Sequence, residues 1–417
     1  MRITMLSIGS TGDVRPYILL GRELASRGHS VTLSAFSRFR REAEEAGLTF
    51  CPLSGSAENM MAAIMEPDTN GLTYLPRLWK SLKSTAPRML EDMSEGCRGA
   101  DAMVCNFFGS VYYSVAEKYG IPCIQTQFFP MDPTGKAPIS SVRSQRLGPA
   151  VNKATYKAGY YLIGSLEKHI LSSWRKENGV TVRKPSTGPD YRIGGHTVPV
   201  IYAISPCVFP RPEEWGPKVY MSGFWFDESP CAWQPPKDLV EFMSAGEKPV
   251  YIGFGSMSSG DMNRLMTIVL RAVRAAGLRA VISTGWTGRK MKSNRTVYFA
   301  DYIPHDWLFP RVRAVVHHGG AGTVAAGLRH GRPTLVIPFA GDQPFWGYQV
   351  HRIGCGPKPI ARSALTVRKL TKALLELTGR GEYYEKAREV SGILASEHGT
   401  AAAADLIEKA IQDWDAE

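Results

Sequence analysis

The chain has 417 residues, a formal net charge of +12, 44% hydrophobic residues and 21% charged residues. That balance fits a globular protein of about two domains, and no apolar run in it reaches membrane-spanning length. The seven cysteines are scattered without a CxxC spacing, which argues for reduced thiols in the cytoplasm and against a zinc site or a disulfide framework.

The N-terminal MRITMLSIGSTGD holds one arginine and a short apolar run ending in glycine and acid. It reads as a first buried strand rather than a signal peptide. Lysines and arginines are dispersed, and no basic helix with interleaved aromatics occurs, so no nucleic-acid partner is expected. The positive surface suits an anionic nucleotide or peripheral contact with a membrane, and equally plain solubility.

The first third alternates strand and helix: RITMLSI (strand), PYILLGRELASRG (helix, stopped by Gly28), SVTLSAF (strand), RFRREAEEAG (helix, stopped by Gly47). DAMVCNF, SVYYSVAEKYG and IPCIQTQF follow as strand, helix and strand. Such alternation predicts right-handed βαβ units and a parallel sheet. Residues 60–93 and 135–188 break the rhythm and read as helical excursions. Between Ser205 and Pro236 the chain is dense in Pro and Trp, which is linker chemistry. Alternation then resumes with KPVYIGFGS, DMNRLMTIVLRAVRAAG, RAVISTG, VRAVVHH, GTVAAGLRHG and PTLVIPF, and the chain closes on a helix with Thr400 as expected N-cap. The fold expected is α/β, with two doubly wound, Rossmann-like parallel-sheet domains facing across a cleft. The expected layout is an acceptor-binding domain over 1–204, a linker over 205–236, a donor-binding domain over 237–398, and a helix over 399–417 packing back toward the first domain.

The chemistry concentrates at strand ends. VVHHGGAGT places a glycine turn between a buried strand and a helix. Glycine lets backbone approach a ligand, and a helix N-terminus offers unpaired N–H groups and the positive end of the dipole, which together bind phosphate. No G-x-G-x-x-G or Walker spelling is present, and a glycine turn that only packs helix on strand is the plain alternative. The next strand runs into AGDQPFWG, so Asp342 and Gln343 reach the same sheet edge. A carboxylate is poorly suited to phosphate but well suited to hydroxyls, so the pair of sites points to a sugar phosphate or a nucleotide sugar. Tyr302 and His305, in DYIPHDWLF, could flank a base, or Tyr302 could be core. At the first strand's end, GSTGDVRP makes a tight turn at Gly9 and Gly12 and sets Asp13 at the start of a helix, as an N-cap or as a general base.

Together, GSTGDVRP, YIGFGSM, DYIPHDWLFPRVRAVVHHGGAGT and IPFAGDQPFW resemble the nucleotide-sugar-dependent glycosyltransferases of the GT-B fold, in the subfamily of sterol glucosyltransferases and bacterial glycopeptide- and macrolide-antibiotic glycosyltransferases. The resemblance implies that Tyr302, Ile303 and His305 hold the nucleobase, partly through backbone groups. His318 and Ser256 would contact the diphosphate, with donors from Gly320, Ala321, Gly322 and Thr323. Asp342 and Gln343 would bind sugar hydroxyls, Trp286 and Gly12 would line the donor pocket, and Asp13 would be the base of an inverting transfer. No metal or other cofactor is implied; UDP-sugar or dTDP-sugar is the donor substrate. His317 is expected to be structural.

Two departures stand out. Plant members use a histidine base oriented by an aspartate; here Asp13 faces the position of Asn106. A neutral amide could orient a carboxylate without the like-charge repulsion that a second acid would bring. Plant members also carry a ribose-gripping glutamate where this chain has Ala325, Ala326 and Gly327, which leaves UDP against dTDP open. Aromatic stretches in the first domain (LTYLPRLWKSL, FFGSVYYS, QFFPMDP, YKAGYYLIG) predict an apolar small-molecule acceptor, and Arg77, Lys80, Lys83 and Arg88 could face an anionic lipid surface. The expected protein is a cytoplasmic monomer or weak dimer. The alternatives are a macrolide-type transferase using a dTDP-sugar, a nucleotide-sugar epimerase, and a non-catalytic binding protein.

Overall fold

A computed structural model of the chain describes residues 1–56, 85–107, 109–145, 147–182, 184, 186–189, 191–229, 231–255, 262–285 and 291–416. Two parallel sheets organise it. The first contains β1 (Arg2–Leu6), β2 (Ser30–Phe36), β3 (Thr49–Leu53), β4 (Ala102–Cys105) and β5 (Cys123–Gln127). Its helices are α1 (Thr11–Ser26), α2 (Arg40–Glu45), α3 (Ala86–Gly96), α4 (Gly109–Tyr119) and the long α5 (Pro149–Glu177). A hairpin of β6 (Arg192–Ile193) and β7 (His196–Thr197) precedes β8 (Val200–Tyr202) and β9 (Val219–Met221). The strand order is β3-β2-β1-β4-β5-β8-β9.

The second sheet follows α6 (Lys237–Ser244). It contains β10 (Val250–Gly253), β11 (Ala280–Ser283), β12 (Val297–Ala300), β13 (Val315–His317) and β14 (Thr334–Val336), in the order β12-β11-β10-β13-β14. Between and after them run α7 (Met262–Ala275), α8 (His305–Leu308), α9 (Ala321–Arg329), α10 (Gln343–Arg352), α11 (Val367–Gly379), α12 (Gly381–Ala395) and α13 (Gly399–Ala416). Strands such as AMVC and VVH are buried along their whole length, as a sheet covered by helices on both faces requires.

Four strands of the two parallel sheets were not legible in the sequence, β3, β8, β9 and β12, and neither was the β6–β7 hairpin. β3 contains Pro52, which a central strand would exclude; it sits at the sheet edge, where a missing N–H is tolerated. The Pro- and Trp-rich stretch 205–236 is not a simple connector, because residues 219–221 form the last strand of the first sheet. Its aromatics pack rather than space the domains. Trp215 stacks on Tyr202 at 4.4 Å, Phe209 meets Phe345 at 5.3 Å, and Phe224 meets Trp346 at 5.8 Å. These rings belong to one buried cluster that also takes in Val324, Leu328 and Val350, so the two domains share an apolar seam.

Thr400 is not the N-cap of the last helix. The helix starts at Gly399, whose backbone lies against the Phe224 carbonyl, and the Thr400 hydroxyl reaches the Phe226 carbonyl at 3.5 Å. This helix, α13, puts Ala403, Ala404, Ile407 and Trp414 into the core of the first domain. Arg27, the C-cap residue of α1, holds it through Asp405 and Glu408, and His29 bonds Glu408 at 2.7 Å. No described helix is long and apolar enough to cross a membrane.

Ile407 is fully buried. Ile407→Ala is expected to lower unfolding stability by about 2–4 kcal/mol, the range for a large buried aliphatic cut to Ala. Urea titration of both proteins measures this, and a change under about 0.5 kcal/mol would mean that α13 is not part of the first domain's core.

Candidate active site

In each sheet the order reverses at one place, between β1 and β4 and between β10 and β13. Connections leave in opposite directions there and open a crevice at the carboxyl edge, the usual ligand site of open α/β sheets. Every motif singled out from the sequence and described in the structure lies at or beside one of these edges.

The turn after β13 has several distinct glycine requirements. Gly319 has φ +99°, and a Cβ there would stand 2.6 Å from Val336 Cγ1. Gly320 is the N-cap of α9, and a Cβ there would lie 2.7 Å from His318 Nε2. From the other side, Gly255, just beyond β10, lies against the same imidazole, 3.1 Å from Cε1 to a would-be Cβ. The His318 ring is therefore clasped between the two turns. Gly322 is different: nothing lies within 4 Å of a Cβ there. Packing does not demand this glycine, although glycine weakens a helix.

The donors at this turn divide. The N–H groups of Thr323 and Val324 both close on the Gly320 carbonyl at 3.0 Å. Thr323 is thus left with its hydroxyl, not its backbone, for a ligand. The N–H groups of Ala321 and Gly322 have no acceptor among the described residues and point along the positive end of α9. His317 is fully buried and its Nδ1 accepts the Gly319 N–H at 2.9 Å, a structural task. His318 Nδ1 is buried without a partner among the described residues, and burial pushes the ring's pKa down to about 4. A neutral imidazole with one unpaired nitrogen beside two open N–H groups fits a diphosphate.

Asp342 is the N-cap residue of α10, and its Oδ2 accepts the Trp346 indole N–H at 2.8 Å. Gln343 is less available than expected. Its carbonyl oxygen accepts the N–H groups of Phe339 and Ala340 at 2.7 and 3.1 Å, so it shapes the loop and keeps only its NH₂ for a sugar. Tyr302 is 61% exposed and therefore not core. Ile303 buries its side chain, while its N–H and C=O have no partner among the described residues, which suits a base edge. The His305 ring stacks on Phe309 at 4.3 Å and is held neutral by burial, with its pKa down to about 4. It supports the loop from behind.

In the first domain, Asp13 is the third residue of α1, not its N-cap. Its Oδ2 accepts from the Ser10 N–H at 2.7 Å and the Ser10 hydroxyl at 3.0 Å, closing a capping box. Oδ1 has no partner among the described residues. Gly9, with φ +153°, keeps the carboxylate in place, since a Cβ there would stand 2.3 Å from Oδ2. Gly12 is exposed and has no such constraint; only Ser10 Oγ lies within 4 Å of a Cβ there. Asn106 does not orient the carboxylate directly, contrary to the sequence expectation. Its amide donates to the Ile8 carbonyl at 2.9 Å and accepts from the Tyr112 hydroxyl at 2.7 Å. Asn106 fixes the end of β1, and Ser7 in turn donates to the Asp13 carbonyl at 3.0 Å. Ser256 and Trp286 lie outside the described residues, as do Arg77, Lys80 and Lys83.

The two domains meet at these motifs. Ala321, Phe339 and Ala340 pack against the first domain's core cluster. Arg15, two residues beyond Asp13, sits 5.8 Å from the Tyr302 ring. Sequence reading passed over Arg15; its place near the start of the helix, two residues after the acid, was the available signal. Burial raises the Asp13 pKa above its ordinary value, against the two Ser10 hydrogen bonds. Burial first, and then the negative charge of Asp13, raise Asp342 from 3.8 to about 7. The two acids thus feel each other across the cleft. Among the described residues no group of three or more His, Cys, Asp or Glu could hold a metal ion.

Comparison with known proteins places the fold and the family. Residues 3–137 match the glycosyltransferase family 28 N-terminal domain, and residues 289–408 match the erythromycin biosynthesis protein CIII-like C-terminal domain. Among solved structures, a glycotransferase of kitacinnamycin superposes with TM-score 0.72 at 20% identity, covering 98% of both chains. The calicheamicin glycosyltransferase CalG4 gives 0.70 at 18% identity, covering 99% of this chain and 98% of that one. The fold is accordingly GT-B, that of two-domain glycosyltransferases. Sterol 3-beta-glucosyltransferase UGT80A2 of Arabidopsis thaliana is 33% identical over 90% of this chain and 60% of its own length. UGT80B1 of the same plant is 31% identical over 98% of this chain and 68% of its own length. The sterol 3-beta-glucosyltransferase of Candida albicans is 32% identical over 97% of this chain, which spans only 27% of that protein. The chain belongs to the glycosyltransferase family that contains these sterol 3-beta-glucosyltransferases.

Two outcomes follow from the site's geometry. Gly322→Ala is expected to leave the thermal midpoint unchanged or higher, because helix propensity gains up to about 1 kcal/mol. It should weaken nucleotide-sugar binding about tenfold by intruding on a charge-assisted contact. Calorimetric titration would detect this, and unchanged affinity would return the turn to a purely structural role. Asp342 keeps a proton that the unfolded chain gives up near 3.8. The stability this represents is full below about pH 4 and lost as pH rises through about 7. Asp342→Asn should therefore flatten the decline of the ligand-free midpoint over that window; a parallel decline in both proteins would contradict the assignment.

Proposed function

We propose that the protein is an inverting, metal-independent hexosyltransferase. In this reading it moves glucose from UDP-glucose to the hydroxyl of a sterol or a similar apolar acceptor. The observation that carries the reading is the facing of Asp13 and Asp342 across the cleft, with the His318 and α9 cradle beside them. The names of the similar proteins support glucose as the sugar and a sterol as the acceptor.

In the proposed step, Asp13 takes the proton of the acceptor hydroxyl through its open Oδ1. The oxygen attacks the anomeric carbon from the face opposite the nucleotide diphosphate, which inverts that centre. Charge builds on the departing diphosphate, and the N–H groups of Ala321 and Gly322, the Thr323 hydroxyl and His318 meet it. An arriving dianion opposes the burial that holds His318 neutral. Asp342 anchors sugar hydroxyls, and Tyr302 with the Ile303 backbone holds the base. Ser256 is proposed to add a diphosphate contact and Trp286 a wall of the donor pocket. The protein would work in the cytoplasm as a monomer or weak dimer, with peripheral membrane contact through its basic surface.

A dTDP-sugar with a macrolide-type acceptor is the second reading. It is favoured by Ala325, Ala326 and Gly327, which offer no carboxylate to ribose hydroxyls. Binding of UDP-glucose against dTDP-glucose, followed by mass spectrometry of mixtures with sterols and macrolides, separates the two. An epimerase would instead convert the free nucleotide sugar without any acceptor.

Asp13→Asn tests the base. Asparagine keeps an oxygen for the Ser10 N–H and so preserves the cap, but it cannot take a proton. Turnover should fall about a hundred- to ten-thousandfold while donor affinity holds. Wild-type kcat/KM should decline as pH falls through the raised Asp13 pKa, and the variant should lose that acid limb. Full turnover by Asp13→Asn would eliminate the proposed base.

A further inference from the structure

Gln127 is the last residue of β5 and is 1% exposed, yet neither its amide nitrogen nor its carbonyl oxygen has a partner among the described residues. Buried amides are almost always paired, and an unpaired one calls for an explanation. The position explains it. β4 runs beside β1 and β5 beside β4, with Leu6 level with Cys105 and Cys105 level with Gln125. Gln127 therefore stands level with Ile8, at the carboxyl edge that also presents Asn106 and the loop leading to Asp13.

Alternation along the strand sets its direction. Thr126 meets the Tyr17 hydroxyl on the α1 side, whereas Gln125 accepts from the Tyr113 hydroxyl of α4. Gln127 shares the face of Gln125. At the same edge the Phe107 and Phe129 rings meet at 5.5 Å and provide an apolar wall.

The segment is also too well fastened to relax and satisfy the amide. The Gln127 carbonyl accepts from Ala203 at 2.8 Å. Beyond it, the N–H groups of Met131 and Asp132 both donate to the Tyr202 hydroxyl at 2.9 Å, and Tyr202 donates to the Asp132 carboxylate at 2.6 Å. Tyr160 adds a bond to the Met131 carbonyl at 3.1 Å, and the Trp215 indole adds one to the Asp132 carbonyl at 3.3 Å. A rigid frame thus holds a buried, unpaired amide at the carboxyl edge of the sheet.

We propose that Gln127 is a specificity residue that hydrogen-bonds a second oxygen of the acceptor. The inference rests on the transfer reaction proposed above and names its substrate more closely. The acceptor is a rigid apolar molecule with one hydroxyl to be glycosylated and another hydroxyl or ketone at its far end. Two interstrand spacings, roughly 10 Å, separate β5 from β1 and set the scale of the distance between the two oxygens. That is comparable to the length of a four-ring steroid nucleus.

The test compares two steroids with UDP-glucose as donor: dehydroepiandrosterone, with a hydroxyl at one end and a ketone at the other, and its analogue lacking the ketone. The wild-type enzyme should favour the ketone-bearing acceptor about tenfold in kcat/KM, the value of one hydrogen bond to an otherwise unpaired group. Gln127→Leu and Gln127→Met should each bring that ratio to about one without reducing activity on the other steroid, and should keep or raise the thermal midpoint. An unchanged ratio in either variant, with transfer intact, overturns the role of Gln127 alone. Failure of both variants to fold also overturns it, because an unpaired amide cannot be what holds the fold. Wild-type protein that transfers glucose to neither steroid nor any sterol would sink the transfer reaction itself, and this inference with it.

Discussion

The apolar seam between the domains is the contact on which the rest depends. Phe209 lies on Phe345 and Phe224 on Trp346, and each pair joins the 205–236 stretch to α10. The helix carrying Asp342 at its N-cap is thereby docked to the edge of the first sheet. α13 closes the arrangement by returning to the first domain's core. Without these contacts the two carboxyl edges would be two separate half-sites. With them, the charge of Asp13 is felt at Asp342.

Much of this was legible because parallel sheets write their strands as continuous apolar runs and place glycine turns where they end. VVHHGGAGT and GSTGDVRP could be set on sheet edges from the sequence alone. What failed failed for physical reasons. β3 contains a proline that only an edge position tolerates; β8 and β9 are only three residues long, and β9 lies inside a stretch whose prolines and tryptophans mimic a linker. The partners of a side chain were the least legible. Nothing in the spelling GDQPFW says that Gln343 turns its carbonyl back to residues 339 and 340. Nor does MVCNFF say that Asn106 holds the end of β1 rather than the carboxylate of Asp13.

Asp13 also shows that the structural and chemical readings of one residue need not compete. As part of the capping box it satisfies the Ser10 N–H and holds the loop at the end of β1. The same bonds engage one carboxylate oxygen and leave the other open. They lower the pKa while burial raises it, and burial prevails. A carboxylate whose pKa is raised is a stronger base than a solvated one, which suits the proposed deprotonation of a hydroxyl. The cap is the means by which the fold fixes the geometry of that group.

Local consistency is the rule in folded chains, and departures from it gather where a ligand is expected. Three of the departures at the carboxyl edges lie where the proposed donor would sit. Gly322 weakens a helix with no packing reason. His318 buries a nitrogen without a partner. Asp342 is held in surroundings that oppose its charge. Each is unfavourable in the ligand-free chain, and in the proposed complex each would be relieved by a different part of one molecule: a phosphate beside Gly322 and His318, and a hydroxylated ring beside Asp342. Gln127 is a fourth such position, and it lies in the first domain, away from that molecule. In the proposed complex a donor substrate at the second sheet's edge leaves this fourth departure to the acceptor.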